Sequence, residues 1–324
     1  MLGTHFSDLN SRVITKGLCR YCGACALICP VDVIAIGEAG ASLAGGCVSC
    51  GLCLRVCPVL RMLPEVPIQE GFLARPVSKV PGSKTCGVVT EVCCALLEED
   101  KVDAVLVSRL HPGLQERSYL ARSTREIREA AGANYFSRGH LHFMKEAVKK
   151  GEIVAVIGTG CCVEGARLIS SISNRHSALL PYKLGLFCSS QLDSAVMRKV
   201  LLKNGIDPPT VNCINIRGRS ISIGSSLGRA DNLTLAEISA AKRPSCSYCY
   251  DLDNWAADIS FGEMGAPEGY VIVFVRTKSG KEIVELSEQR LESIPIPPEV
   301  LEEVGKVKSS KRAKANSLRH KHLD

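Results

Sequence analysis

The pattern C-x2-C-x2-C-x3-C-P occurs twice near the start of the chain, as Cys19, Cys22, Cys25, Cys29, Pro30 and as Cys47, Cys50, Cys53, Cys57, Pro58. In such a run three close thiolates wrap three corners of a 4Fe–4S cube, and the fourth, followed by proline, reaches across to the other cube. The spacing therefore predicts one cluster on Cys19, Cys22, Cys25 and Cys57, and a second on Cys47, Cys50, Cys53 and Cys29. Zinc knuckles would want two ligand pairs separated by a longer loop, which this doubled register does not offer. Two such clusters in one module imply electron transfer.

Residues 1–62 form this bacterial-type ferredoxin module, and the rest of the 324 residues can bury a full hydrophobic core in a second domain. Seventeen cysteines would suggest disulfides in a secreted protein, but Met1–Gly17 has no apolar h-region. The longest apolar runs, Ile153–Ile157 and Tyr270–Val275, are strand-sized and too short to span a bilayer. The expectation is a cytoplasmic protein whose cysteines serve metal, with any membrane attachment made through a partner. The formal charge of +7 is local: residues 305–324 carry seven Lys/Arg against one acid. That stretch reads either as a solvated, frayed tail or as a strip for an acidic surface. Nucleic acid is not expected as a partner.

Pro64, Pro67, Pro76 and Pro81 punctuate 63–82, which reads as a linker. Residues 83–304 then alternate strands and helices, predicting a mixed α/β or α+β domain. Helices are expected over Gly87–Glu99, Arg125–Ala131, His140–Lys149, Val163–Ser171 and up to Lys203. Strands are expected at Val102–Val107, Glu152–Ile157 and Lys183–Phe187, with a hairpin over Asn212–Gly224. Leu235–Lys242 reads as a short helix. Tyr270–Arg276 and Glu282–Leu286, joined across Ser279-Gly280, read as a second hairpin.

Cys246-x2-Cys249 has metal-ligand spacing and needs two more partners. Cys161, in a strand-to-helix loop, and Cys188, after a strand, lie where α/β folds gather their chemistry. A third cluster on Cys161, Cys188, Cys246 and Cys249 is one reading; zinc and a redox dithiol are others, and Cys162 competes with Cys161. Cys86, Cys93, Cys94 and Cys213 read as small buried hydrophobes. Gly158-Thr159-Gly160 lacks the third glycine of a dinucleotide fingerprint, since Val163 stands there. A tight turn offering N–H groups to a phosphate or cluster sulfur is the remaining reading. His111, His140, His142 and His176 have no acid at catalytic spacing.

At these residues the chain resembles the coenzyme F420 hydrogenase/dehydrogenase beta subunit family. The similarity lies in Cys86-Gly87-Val88-Val89-Thr90, Ala131-Gly132-Ala133-Asn134-Tyr135, Val156-Ile157-Gly158-Thr159-Gly160-Cys161 and Gly185-Leu186-Phe187-Cys188. It is most specific in Arg243-Pro244-Ser245-Cys246-Ser247-Tyr248-Cys249-Tyr250-Asp251, followed by Ala257-Asp258-Ile259-Ser260-Phe261-Gly262 and Val275-Arg276-Thr277. It covers Thr85 to Glu285, and the two-cluster module makes the whole similar to the reduced-F420 dehydrogenase type. Gly160 departs from the family's proline, Cys162 from its glutamine and Thr85-Cys86 from its Ser-Gly.

The resemblance implies an FAD beside a 4Fe–4S cluster on Cys161, Cys188, Cys246 and Cys249, and a site for the deazaflavin F420. It implies flavin contacts from Gly87, Val88, Thr90, Asn134, Tyr135, Gly158 and Thr159, with Lys242 and Arg243 holding the flavin or the acidic F420 tail. The expected activity is hydride transfer from reduced F420 to FAD, then single electrons through three clusters to a membrane respiratory complex or a ferredoxin. No side-chain nucleophile is needed. The alternatives are a flavin-free adaptor wiring another oxidoreductase, and a beta subunit of a hydrogenase or sulfite reductase type complex.

Overall fold

The computed structural model describes residues 5–78, 87–217, 220–228 and 230–322; Thr85 and Cys86 lie outside them. In the cysteine-rich module, strands β1 (Ile34–Gly37) and β2 (Gly40–Leu43) pair antiparallel. The chain continues through β3 (Glu70–Pro76), β4 (Ala104–His111), β5 (Gln115–Ala121), β6 (Val154–Thr159) and β7 (Lys183–Leu186). Next come β8 (Val211–Arg217), β9 (Ser220–Ser225), β10 (Ala230–Thr234), β11 (Ile259–Gly262), β12 (Val271–Val275) and β13 (Leu291–Ile294).

One eight-stranded sheet has the order β13-β3-β12-β11-β7-β6-β4-β5. Its centre, β4, β6, β7 and β11, is parallel. Strands so placed are covered on both faces and read as continuous apolar runs, which is why Val154–Thr159 carries so little polarity; antiparallel β12, Val271–Val275, is buried along its whole length too. Helices Val88–Glu98, Thr124–Glu129 and Lys278–Ser287 cover one face around Val105, Ala155 and Val273. Helix Gly160–Ile172 and the cysteine-rich module cover the other, around Leu106, Val156 and Ile169. A satellite sheet, β10-β9-β8, has its own core of Val211, Ile221 and Leu233; its first two strands are the hairpin expected over Asn212–Gly224.

Four expectations are corrected. Residues 282–286 are helical, within Lys278–Ser287. The Thr277 hydroxyl accepts from Gly280 N at 3.3 Å, a cap that starts a helix, and β12 already has neighbours on both sides, β11 and β3. The linker over 63–82 contains β3, which pairs with both β12 and β13; Pro64 and Pro67 precede the strand and Pro76 stands at its end, while residues 79–82 lie outside the described residues. Residues 235–242 make turns and one short 3-10 helix, Ser239–Ala241. Residues 305–319 of the basic stretch, read as a frayed tail or a free strip, lie in helix Pro298–His322, whose Val300 and Val304 pack on Leu73, Ile272 and Phe274 and whose Lys308 and Lys311 bond to Asp253 and to the Cys188 carbonyl.

Candidate metal centres

The two cysteine runs fold alike. Tyr21 and Ser49 have φ of 58° and 54°, and Gly23 and Gly51 have 86° and 70°, so each run turns left-handed at the same two places before a short helix, Ala24–Ile28 or Leu52–Arg55. This bends the three leading thiols of each run around one space. Cys19, Cys22, Cys25 and Cys57 line a single cavity closed by Leu9 and Val13, and Cys25 lies in the electrostatic field of Cys19 and Cys57. Cys29, Cys47, Cys50 and Cys53 line a second cavity with Val31 and Val48. Its rim is at the surface: Cys50 is exposed and Val48 is 57 % exposed.

The third group is assembled at the carboxyl ends of the parallel strands. Cys161 follows β6, Cys188 follows β7, and Cys246 lies within the turn Pro244–Tyr248 that Cys249 ends. Cys188 feels the charges of Cys246, Cys161 and Cys249, and Cys161 those of Cys249 and Cys246. The helix begins at Gly160, three residues earlier than the sequence suggests, so Cys161 and Cys162 occupy its first turn and point differently. Cys162 is buried in the core, and a Cβ on Gly158 would meet its sulfur at 2.9 Å. Cys161 faces the other three.

Among the described residues, no three His, Cys, Asp or Glu side chains converge as they would around a single ion. The cysteines instead ring spaces, and four-thiol rings suit a cube of iron and sulfide. Burial pushes the Cys161 thiol up to about 11, while Thr159 and Arg20 pull it down; burial lifts Cys188 further, against the pull of Lys311. Thiols so placed ionise when a metal takes the proton's place.

Between the first and third rings lies Arg20, which sequence reasoning missed. Its guanidinium donates to Tyr248 O at 3.4 Å and stands 4.0 Å from Glu164, the two side chains being 7 % and 1 % exposed. Burial works against its charge, but Cys249, Cys161, Glu164 and Cys246 together outweigh that and hold it positive. Glu164 accepts from Leu63 N at 2.8 Å. Helix Gly160–Ile172 approaches the module closely: a Cβ on Gly165 would stand 2.9 Å from Ala24 Cβ and 3.7 Å from Cys22 Sγ. Position alone marks Arg20 in the sequence, since it follows a ligand directly.

The residues expected around a flavin are brought partly together. Gly87, with φ of 83°, precedes Val88 at the start of helix Val88–Glu98, where Thr90 is buried. Asn134 donates to Ser108 Oγ at 2.9 Å and Tyr135 accepts from Ile216 N at 3.3 Å. Tyr135 also lies in the field of Glu263 and Cys188, so this loop overlooks the third ring. The Gly158 carbonyl accepts from Asn254 Nδ2 at 2.9 Å, and Thr159 Oγ1 lies 3.5 Å from Cys161 Sγ, so Thr159 touches the ring itself. Lys242 is exposed. Arg243 is buried, donating to Phe136 O at 2.9 Å and Ser137 O at 2.8 Å, so its Nη groups hold the 134–137 loop. Its Nε, Gln191 Oε1 and Ser245 Oγ are buried without partners. Gln191 also touches Cys246 and Cys188 through its own N–H groups, at 3.4 and 3.9 Å. Unpartnered polar atoms beside a metal ring suit a polar cofactor there.

Comparison with known proteins agrees with this arrangement. The family model for the N-terminal part of the coenzyme F420 hydrogenase/dehydrogenase beta subunit matches residues 72–145, and the model for its C terminus matches 151–299. The chain belongs to the coenzyme F420 hydrogenase/dehydrogenase beta subunit family. The first family match begins inside β3, as expected for a strand integral to the domain. A 4Fe-4S binding domain model matches 12–35, across the first cysteine run.

Two relatives span most of the chain. A subunit of the F(420)H(2) dehydrogenase of Methanosarcina mazei is 26% identical over 93% of this chain and 91% of its own length. Coenzyme F420-dependent sulfite reductase of Methanocaldococcus jannaschii is 28% identical over 86% of this chain but only 48% of its own length. A chain of the F420-reducing [NiFe] hydrogenase complex from Methanosarcina barkeri shares the fold, with a TM-score of 0.72 at 23% identity, covering 80% of this chain and 95% of that one. Among the described residues no helix is long and apolar enough to cross a membrane.

Proposed function

We propose that this chain is the electron-input subunit of a coenzyme F420-linked oxidoreductase, oxidising reduced F420 and delivering electrons singly to a protein acceptor. The observation that carries the reading is the continuity of the three cysteine rings: the third at the carboxyl edge of the sheet, the first behind Arg20, and the second opening at the surface beside Val48. Cys161, Cys188, Cys246 and Cys249 would hold one 4Fe–4S cluster; the two N-terminal rings would hold two more. An FAD held beside the third ring would supply the conversion of one hydride, two electrons at once, into the single electrons that cubane clusters carry.

The chain's own residues set up that arrangement. The 134–137 loop, held by Arg243, faces the third ring, and Gln191 and Ser245 offer buried polar atoms to a flavin. Gly87 and Val88 begin a helix whose amide end favours an anion such as a flavin phosphate. Arg20 and Glu164 fill the space between the first and third rings and exclude water from it. The exposed rim around Cys50 and Val48 is where an acceptor would approach; a ferredoxin or a subunit of a membrane-bound complex fits equally.

The test is anaerobic. Reconstituted protein is expected to hold about twelve irons in three clusters and one FAD, and both chromophores should bleach within a stopped-flow trace on adding reduced F420 but not NADH. Protein with no flavin, or unreactive towards reduced F420 when fully loaded, would refute the reading.

A further inference from the structure

Helix Pro298–His322 turns one stripe inward: Val304, Lys308, Lys311, Ala315 and Arg319 are buried or half-buried, while Lys306 and Lys314 face outward. Its apolar end sits on the sheet, and its basic end lies against the loops that carry the third ring. Lys311 Nζ donates to Cys188 O at 2.6 Å and to Asp251 O. Arg319 donates to Tyr248 O at 3.2 Å and covers the Tyr250 ring at 4.7 Å. Three main-chain oxygens at or beside ring cysteines are therefore held by this one helix. Lys308 pairs with Asp253 at 2.8 Å and with Glu65, and Arg312 with Glu65 at 2.6 Å, which fixes the helix lengthwise.

We propose that Lys311 is a positioning residue of the electron path: it ties the Cys188 and Asp251 segments together and, as a fixed cation beside Cys188, raises the reduction potential of the cluster held by the third ring. The inference rests on the third ring binding a 4Fe–4S cluster, as proposed above. The reduced state of such a cluster carries one more negative charge than the oxidised state, and a nearby positive charge in a poorly solvated site favours it. Arg20 acts on Cys249, Cys161 and Cys246 of the same ring, and Lys311 acts on Cys188, so two cations from opposite ends of the chain bear on one ring. Their effects should be separable by substitution.

The experiment is an EPR-monitored redox titration of full-length, cluster- and flavin-loaded protein, comparing wild type with K311M, K311R and the outward-facing K314M. The expected result is a midpoint for the third cluster that moves to more negative potential in K311M, stays close to wild type in K311R and K314M, and leaves the two N-terminal clusters unmoved. If K311M loses the third cluster while K311R keeps it, the positioning role is borne out directly. An unmoved midpoint in K311M holding about twelve irons overturns the inference, as does loss of the cluster from both variants. Wild-type protein holding only about eight irons would instead overturn the functional reading beneath it.

Discussion

Cys161 and Arg20 meet across the boundary between the two parts of the molecule: the Cys161 thiol points at the Arg20 carbonyl oxygen, 3.9 Å away. Arg20 follows Cys19, a lining residue of the first ring, and its guanidinium reaches the thiols of the third. Neighbouring residues of the chain thus belong to two different centres. This contact joins the cysteine-rich module to the third ring, and on the proposed reading it joins them in one electron path.

Arg20→Met should therefore damage both stability and transfer. It leaves Glu164, whose carboxyl pKa is already raised to about 7 by burial, opposite an uncharged side chain; because that acid can take up a proton, the cost lies at or below the low end of the about 3–5 kcal/mol for breaking a charged buried pair. Denaturant unfolding under anoxic conditions should show a loss of that order, and reduction of the N-terminal clusters by reduced F420 should slow while flavin reduction does not.

The first turn of helix Gly160–Ile172 separates two adjacent cysteines. Cys161→Ser should remove about four irons per chain, whereas Cys162→Ala, deep in the core against Gly158, should retain the full complement at a modest cost in stability. Iron analysis of the two variants checks this; retention by Cys161→Ser would reassign the ligand.

Gly165 is where the helix presses on the cysteine-rich module. Gly165→Val places carbon within 3.2 Å of both Ala24 and Leu141, and overpacking of this kind costs about 1–3 kcal/mol. The expected signature is a lower melting temperature and slower equilibration between the third and first clusters, with the iron content unchanged.

His140 gives the chain a pH dependence. Its Nδ1 lies 2.7 Å from Ser118 Oγ and its Nε2 2.8 Å from Ile157 O. Burial pushes its pKa down to about 4 from an ordinary 6.5. Between those values the unfolded chain binds the extra proton and the folded chain does not, so stability is full above pH 6.5 and falls as pH drops towards 4. The loss should reach about 3 kcal/mol at the acid end. Chemical denaturation at pH 7 and pH 5 should show a smaller pH-dependent loss in His140→Asn than in wild type.

Much of this was legible in the sequence where side-chain chemistry fixes spacing. The doubled cysteine runs predict which thiols share a cavity; the strand-end positions of Cys161 and Cys188 offer their meeting with Cys246 and Cys249 only as one reading among several, which the family resemblance makes specific. Local pattern misled where tertiary partners decide. Ile283 and its neighbours look strand-like, yet the Thr277 cap and the two occupied edges of β12 make them helical. Prolines at 64, 67 and 76 suggest a linker, but Leu73 and Ala74, fully buried, hold β3 in the sheet. Arg20, Glu164 and Lys311 could not be found from spacing, because each matters through contacts with residues far away in the chain.

The segment before β3 also limits how electrons can leave. Leu63 N donates to Glu164, Glu65 meets Lys308 and Arg312, Val66 N donates to Trp255 O at 3.2 Å, and Gln69 N donates to Val275 O at 2.8 Å. A stretch fastened at so many points is no tether, so the cysteine-rich module cannot swing out as a carrier arm. On the proposed function an acceptor would come to it, and turnover should then depend on acceptor docking rather than on any swivelling of this module.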